Sequence, residues 1–128
     1  MKSRSNLITP LARARGLGSA HDGTTHFILQ RLTAIALVPL LLWLVYGLIT
    51  HVGASYYVFK AWVGSFPVAL ALILTLIAAF WHASLGLQII IEDYVHAPAT
   101  KLASLIIAKF ACFGFAVAGI LAIVKLAA

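Results

Sequence analysis

Three long apolar runs, separated by short polar stretches, set the pattern of this chain. They are Leu32 to Thr50, Phe66 to Ile91 and Leu102 to Val124. At about 1.5 Å per residue, each is long enough to cross roughly 30 Å of hydrocarbon as a helix. Pro39 removes one backbone donor from the first run and predicts a kink there. Residues 52–65 hold Tyr56, Tyr57, Phe59, Lys60 and Trp62, the composition of an interfacial loop or short surface helix. Ser65 followed by Pro67 is a helix start. Glu92-Asp93 closes the second run, and Pro98 opposes its continuation. In the third run Ala111, Gly114, Ala118 and Ala122 recur at helical spacing, which predicts a face open to close approach by a neighbouring helix. There is no internal repeat and no low-complexity tract.

The expected fold is therefore all-α. A three-helix transmembrane anchor spans residues 31–128, with helices near 32–50, 66–91 and 102–124. A basic arm covers residues 1–30, where Gly16, Gly18 and Gly23 argue against a stable helix. Composition agrees: of 128 residues 63% are hydrophobic and 9% charged, and the mean hydropathy is +1.07. A soluble domain carries far more charge. The single Cys112 excludes an internal disulfide, and there is no Cys-x-x-Cys-His haem attachment. Phosphate loop, nucleophile elbow and zinc spacing are all absent. With only three acids, the chain alone is not expected to catalyse bond-making, so no catalytic residue is assigned.

Charge then gives orientation. Nine Lys and Arg face three acids, an excess that in a membrane protein reports topology before it reports nucleic-acid binding. Lys2, Arg4, Arg13, Arg15 and Arg31 precede the first span, and the first loop holds only Lys60. The N-terminus is expected in the cytoplasm (or a mitochondrial matrix) and the C-terminus on the opposite side. Arg and Ser with no acid before Asp22 also resemble a mitochondrial transit peptide, but a chain that keeps residue 1 fits the positive-inside reading better. On this topology Arg31 and Asp93-Tyr94 reach the same membrane face.

Few polar residues remain inside the spans. His82 lies at mid-depth of the second. It either hydrogen-bonds a neighbouring helix or ligates a metal or haem, imidazole being the commonest metal ligand. Thr75, Ala78, Ala79 and Gly86 lie on or near its face; small side chains leave room for a flat macrocycle, and equally for helix packing. No other histidine lies at that depth, so a bis-histidine haem needs its second ligand from another chain. Asp93 lies eleven residues from His82 on nearly the same face, roughly 16 Å away. A helix C-terminus disfavours acids, so Glu92-Asp93 asks for an explanation. Tyr94 beside Asp93 can donate a hydrogen bond and relay protons to a quinone carbonyl, or can simply be an interfacial tyrosine ending a helix. Arg31 is either a flanking charge or a positive charge for a propionate or a quinone under reduction. Lys109 is read as snorkelling to the cytoplasmic surface, or pairing with a lipid headgroup or an acidic partner.

Two stretches resemble a known family. Residues 25–34, Thr-His-Phe-Ile-Leu-Gln-Arg-Leu-Thr-Ala, resemble the entry to the first helix of the D-type hydrophobic anchor of succinate dehydrogenase. His82-Ala83-Ser84-Leu85-Gly86, followed by Asp93-Tyr94-Val95, resembles that family's haem and quinone motif. The companion C-type anchors usually carry Ser-x-x-His-Arg-x-Thr-Gly; Gln-Arg-Leu-Thr-Ala stands here, which favours D. The resemblance implies a heteromeric helix bundle with a C-type anchor, an iron–sulfur subunit and a flavoprotein subunit. It implies one haem b between the anchors with His82 as an axial ligand to iron. Ubiquinone would be bound by Tyr94, with Asp93 in its proton path and Arg31 near a haem propionate or the quinone. It also implies a multi-pass protein of the bacterial cytoplasmic membrane, or alternatively the mitochondrial inner membrane. A rival class is a non-redox structural or assembly subunit of another small membrane complex, which would lack b-type absorbance.

Overall fold

The computed structural model describes Leu11 and residues 21–128. The arm residues Lys2, Arg4, Arg13 and Arg15 lie outside that set. The described residues form four helices in sequence: α1 (His21–Thr50), α2 (Tyr56–Gly64), α3 (Phe66–Tyr94) and α4 (Pro98–Ala127). Three of these are long and apolar enough to cross a membrane, as the apolar runs predicted.

Helix α1 starts well before the first apolar run. Residues 21–30, expected to resist helix formation, are its first turns, and Gly23 sits inside it. One glycine costs a helix only about 1 kcal/mol relative to alanine, and a long apolar helix behind it absorbs that. Pro39 is accommodated within α1 without ending it. The helix closes at Thr50, His51 donates its Nδ1–H to the Gly47 carbonyl at 2.8 Å, and Gly53 turns the chain with φ +79. That positive φ is a conformation that suits glycine and strains other residues.

Of the two readings for residues 52–65, loop or short surface helix, α2 is the second. Ser55 caps it by accepting from the Val58 N–H at 3.5 Å. Its Trp62 indole stacks on His51 with ring centroids 4.3 Å apart and lies near Trp43 and Phe59. Such an aromatic cluster fits the membrane–water interface opposite the α3 C-terminus. Helix α3 then begins after Ser65 with Pro67 in its first turn, and α4 begins directly at Pro98. Proline needs no donor at a first helical position, so Pro98 starts α4 as well as barring extension of α3.

Helix α3 is central: α1 packs on one side of it and α4 on the other, and α1 and α4 do not meet. The α3–α4 seam is tight at Gly119, where an added Cβ would lie 2.8 Å from the Leu76 side chain. Cys112 is buried in the same seam. The small-residue face of α4 lies elsewhere: Ala111, Gly114, Ala118 and Ala122 are exposed, and an added Cβ on Gly114 would meet nothing within 4 Å. Small residues mark where close approach is possible, and here that face points away from the chain's own helices. The result is a single layer of three long helices, with only Leu37, Gly47, Val63, Thr75 and Cys112 buried among the described residues.

Candidate functional site

The α1–α3 interface is organised around His82, which is half-buried on the α1-facing side of α3. Gln30 and Thr33, one turn apart on α1, meet its ring from both ends. The Thr33 hydroxyl oxygen lies 3.0 Å from His82 Nδ1, and the Gln30 amide nitrogen lies 3.4 Å from His82 Nε2. One turn along α3 from the ring lies Gly86, against the Gln30 side chain. An added Cβ there would meet only the Gln30 amide nitrogen, at 3.6 Å, an ordinary contact. Close helix approach therefore does not demand glycine at 86.

Toward the α1 N-terminus the interface widens into a groove of about 430 Å³, lined by His26, Gln30, Gln88 and Glu92 among others. Two polar atoms at this interface are buried without a hydrogen-bond partner: His26 Nε2 and Gln30 Oε1. An unpaired buried polar atom costs about 1–3 kcal/mol, so this is where the chain has unused capacity to bind a polar group. At the groove mouth Gln88 donates its amide N–H to the Glu92 carboxylate at 2.8 Å. The Lys101 ammonium donates to the Glu92 backbone carbonyl at 2.9 Å. Lys101 thereby satisfies an end carbonyl of α3 and brings positive charge to its C-terminus. That offsets part of the cost of Glu92-Asp93 and leaves Asp93 still without an ion pair among the described residues.

Asp93 and Tyr94 occupy the last turn of α3 and both are exposed, Tyr94 to 79%. Arg31 is exposed as well, its guanidinium 4.8 Å from the centroid of the Phe27 ring, a cation–π geometry. Because its neighbour Gln30 touches both His82 and Gly86, the antiparallel register sets Arg31 level with the 82–86 turn of α3. Tyr94 is roughly 12–18 Å further along the axis. Arg31 and Asp93-Tyr94 lie toward the same end of the layer without contact. Lys109 lines a separate apolar cleft of about 310 Å³ between α3 and α4, beside Ser84 and Cys112. Among the described residues there is no group of three or more His, Cys, Asp or Glu that could hold a metal ion.

The residues a sequence reading misses are Thr33 and Gln30 as partners of His82. The available signal was a polar stripe, His26-Gln30-Thr33, at spacings of four and three on an otherwise apolar helix entry.

Comparison with known proteins gives a consistent answer. The family model described as the succinate dehydrogenase/fumarate reductase transmembrane subunit matches residues 5–118. The succinate dehydrogenase hydrophobic membrane anchor subunit of Rickettsia conorii is 31% identical over 114 residues, covering 88% of this chain and 90% of that protein. The subunit of the same name from Paracoccus denitrificans is 36% identical over 111 residues, 86% and 83% of the two chains. The succinate dehydrogenase membrane anchor subunit of Reclinomonas americana is 29% identical over 92 residues, 69% and 76% of the two. No solved structure matches the chain. With three membrane-length helices and a family match spanning almost all of its length, the chain belongs to the succinate dehydrogenase/fumarate reductase transmembrane subunits.

Proposed function

We propose that this anchor subunit binds one haem b through His82 and helps form a ubiquinone site at the end of α3, at Asp93 and Tyr94. The single observation that carries the haem reading is the setting of His82. Its imidazole is half-buried between two membrane-length helices, Thr33 holds one ring nitrogen, and the other has only a long contact to Gln30. The unpartnered polar atoms of His26 and Gln30, next to the His82 contacts, fit a group with polar substituents. A haem that takes one ligand from this chain needs no cluster of metal-binding residues here. Any further ligand would come from a partner anchor subunit.

Haem, when bound, supplies a one-electron carrier inside the membrane. The chain's own residues do the rest: His82 ligates and orients, and Arg31, level with the 82–86 turn, offers positive charge to a propionate. At the α3 C-terminus the exposed Tyr94 hydroxyl is free to donate to a quinone carbonyl. Asp93 beside it exchanges protons with water. The iron–sulfur and flavoprotein subunits dock on this same face, which the Lys and Arg asymmetry makes cytoplasmic in a bacterial inner membrane.

The test is His82→Ala in the assembled complex, read by haem content and by the reduced and oxidised spectra. Loss of haem or a changed spin state is expected. An unchanged bis-histidine spectrum would remove His82 from the iron.

A further inference from the structure

We propose that Thr33 is a positioning residue for the His82 imidazole: it fixes the proton on Nδ1 and so aims the bare Nε2 lone pair at the haem iron. The proposal rests on the haem reading above and adds a residue and a direction to it.

A threonine hydroxyl has one proton and two acceptor lone pairs. Thr33 Oγ1 lies 2.9 Å from the Leu29 carbonyl oxygen and 3.1 Å from that of Gln30. Carbonyls only accept, and two of them converge on this oxygen, so the hydroxyl proton is assigned to the backbone of α1. What Thr33 presents to His82 Nδ1, at 3.0 Å, is an oxygen lone pair. On that assignment Nδ1 is the nitrogen that carries the proton. A neutral imidazole has one N–H, which leaves Nε2 as an acceptor.

The far side of the ring agrees independently. The group facing Nε2 is the Gln30 amide nitrogen, which only donates. At 3.4 Å this contact is at the long limit of a hydrogen bond, and its donor can be displaced by a stronger Lewis acid. Gln30 keeps the lone pair satisfied without competing for it strongly.

Metal-bound histidines generally donate their other N–H to an acceptor, which sets tautomer and ring orientation and raises ligand basicity. Threonine suits this duty within a helix. Its β-branch restricts χ1, and the back-bond to the preceding turn holds the oxygen in place. Valine at 33 would keep the shape and lose the acceptor.

A more basic ligand favours ferric over ferrous iron, so removing the acceptor should favour the reduced form. In the assembled complex, Thr33→Val and Thr33→Ala should retain haem while the ferrous-to-ferric ratio at a fixed potential rises roughly threefold to tenfold. Tenfold corresponds to about 59 mV for one electron. Thr33→Ser restores the hydroxyl and should return the midpoint near the wild-type value. A merely structural role would not give a shift that serine rescues. The tautomer is also readable without substituting Thr33, by ¹⁵N NMR of the wild-type assembled complex in lipid bilayers, with His82 assigned by its loss in His82→Ala. A proton on Nδ1 is expected, and a proton on Nε2 overturns the proposal even if the valine and alanine variants fail to assemble. An unchanged midpoint in Thr33→Val, with His82→Ala still losing its haem spectrum, sinks the role of Thr33 alone. An unchanged spectrum in His82→Ala sinks the haem reading and this proposal with it.

Discussion

The Trp62 indole occupies the space beside Gly47 so closely that a Cβ added there would lie 2.6 Å from the ring. This contact joins α2 to α1 by one side chain, since the two helix backbones do not approach each other. Gly47→Ala should push Trp62 off His51 and open the aromatic cluster at that membrane edge. Overpacking of this kind costs about 1–3 kcal/mol. Thermal unfolding of the complex should fall and tryptophan emission should shift. A variant with wild-type melting and emission would show that the ring relocates freely.

Tyr94 is exposed and has no side-chain hydrogen bond among the described residues, so Tyr94→Phe should leave the fold intact. Its effect belongs to the quinone, whose oxygens gain negative charge on reduction and need a preplaced donor. Losing one hydrogen bond to a charged group costs about 1.5–3 kcal/mol, roughly ten- to a hundredfold in rate if it acts in the transition state. The measurement is paired: quinone reductase activity should drop, while succinate oxidation by an acceptor that bypasses the membrane site survives. Equal quinone reduction, or a parallel loss of both activities, would exclude Tyr94 as the donor.

Lys109 faces the α3–α4 cleft, on the other side of α3 from the His82 contacts. Lys109→Met preserves the stem that lines the cleft and removes the charge. Quinone reduction in assembled complex should stay near the wild-type rate. A large loss with assembly intact would bring Lys109 into electron or proton transfer.

Orientation has its own check. A reporter active only in the cytoplasm should work when fused at residue 1 and fail at residue 128. The opposite pattern would place the Asp93-Tyr94 end of α3 on the wrong side for soluble partners.

The three spans were legible because apolar length alone decides what crosses a bilayer. Their ends were less so. Residues 21–30 are polar enough to read as an arm, yet they continue α1, because a helix once nucleated extends cheaply through His26 and Gln30. His82, Asp93 and Tyr94 stood out as polar exceptions. Their partners did not: His26, Gln30 and Thr33 mark one face of α1, but a polar face does not by itself say which helix it meets. The same ambiguity hid the true α3–α4 seam: Leu76 meets Gly119, while the more regular small-residue face remains open.

A layer one helix thick has consequences for how the chain is maintained in a cell. With so few residues shielded, its folding free energy is not a constant of the sequence. Whatever covers the open faces, protein or lipid, adds stability by mass action in proportion to the logarithm of its excess over its dissociation constant. Synthesis ahead of its partners would leave helices that are correctly threaded but loosely associated, their polar residues and small-residue face open to other chains. Supply of the subunit would then be set by removal of unassembled copies, and a mutation on an outward face of α4 could lower its abundance without touching any residue near His82.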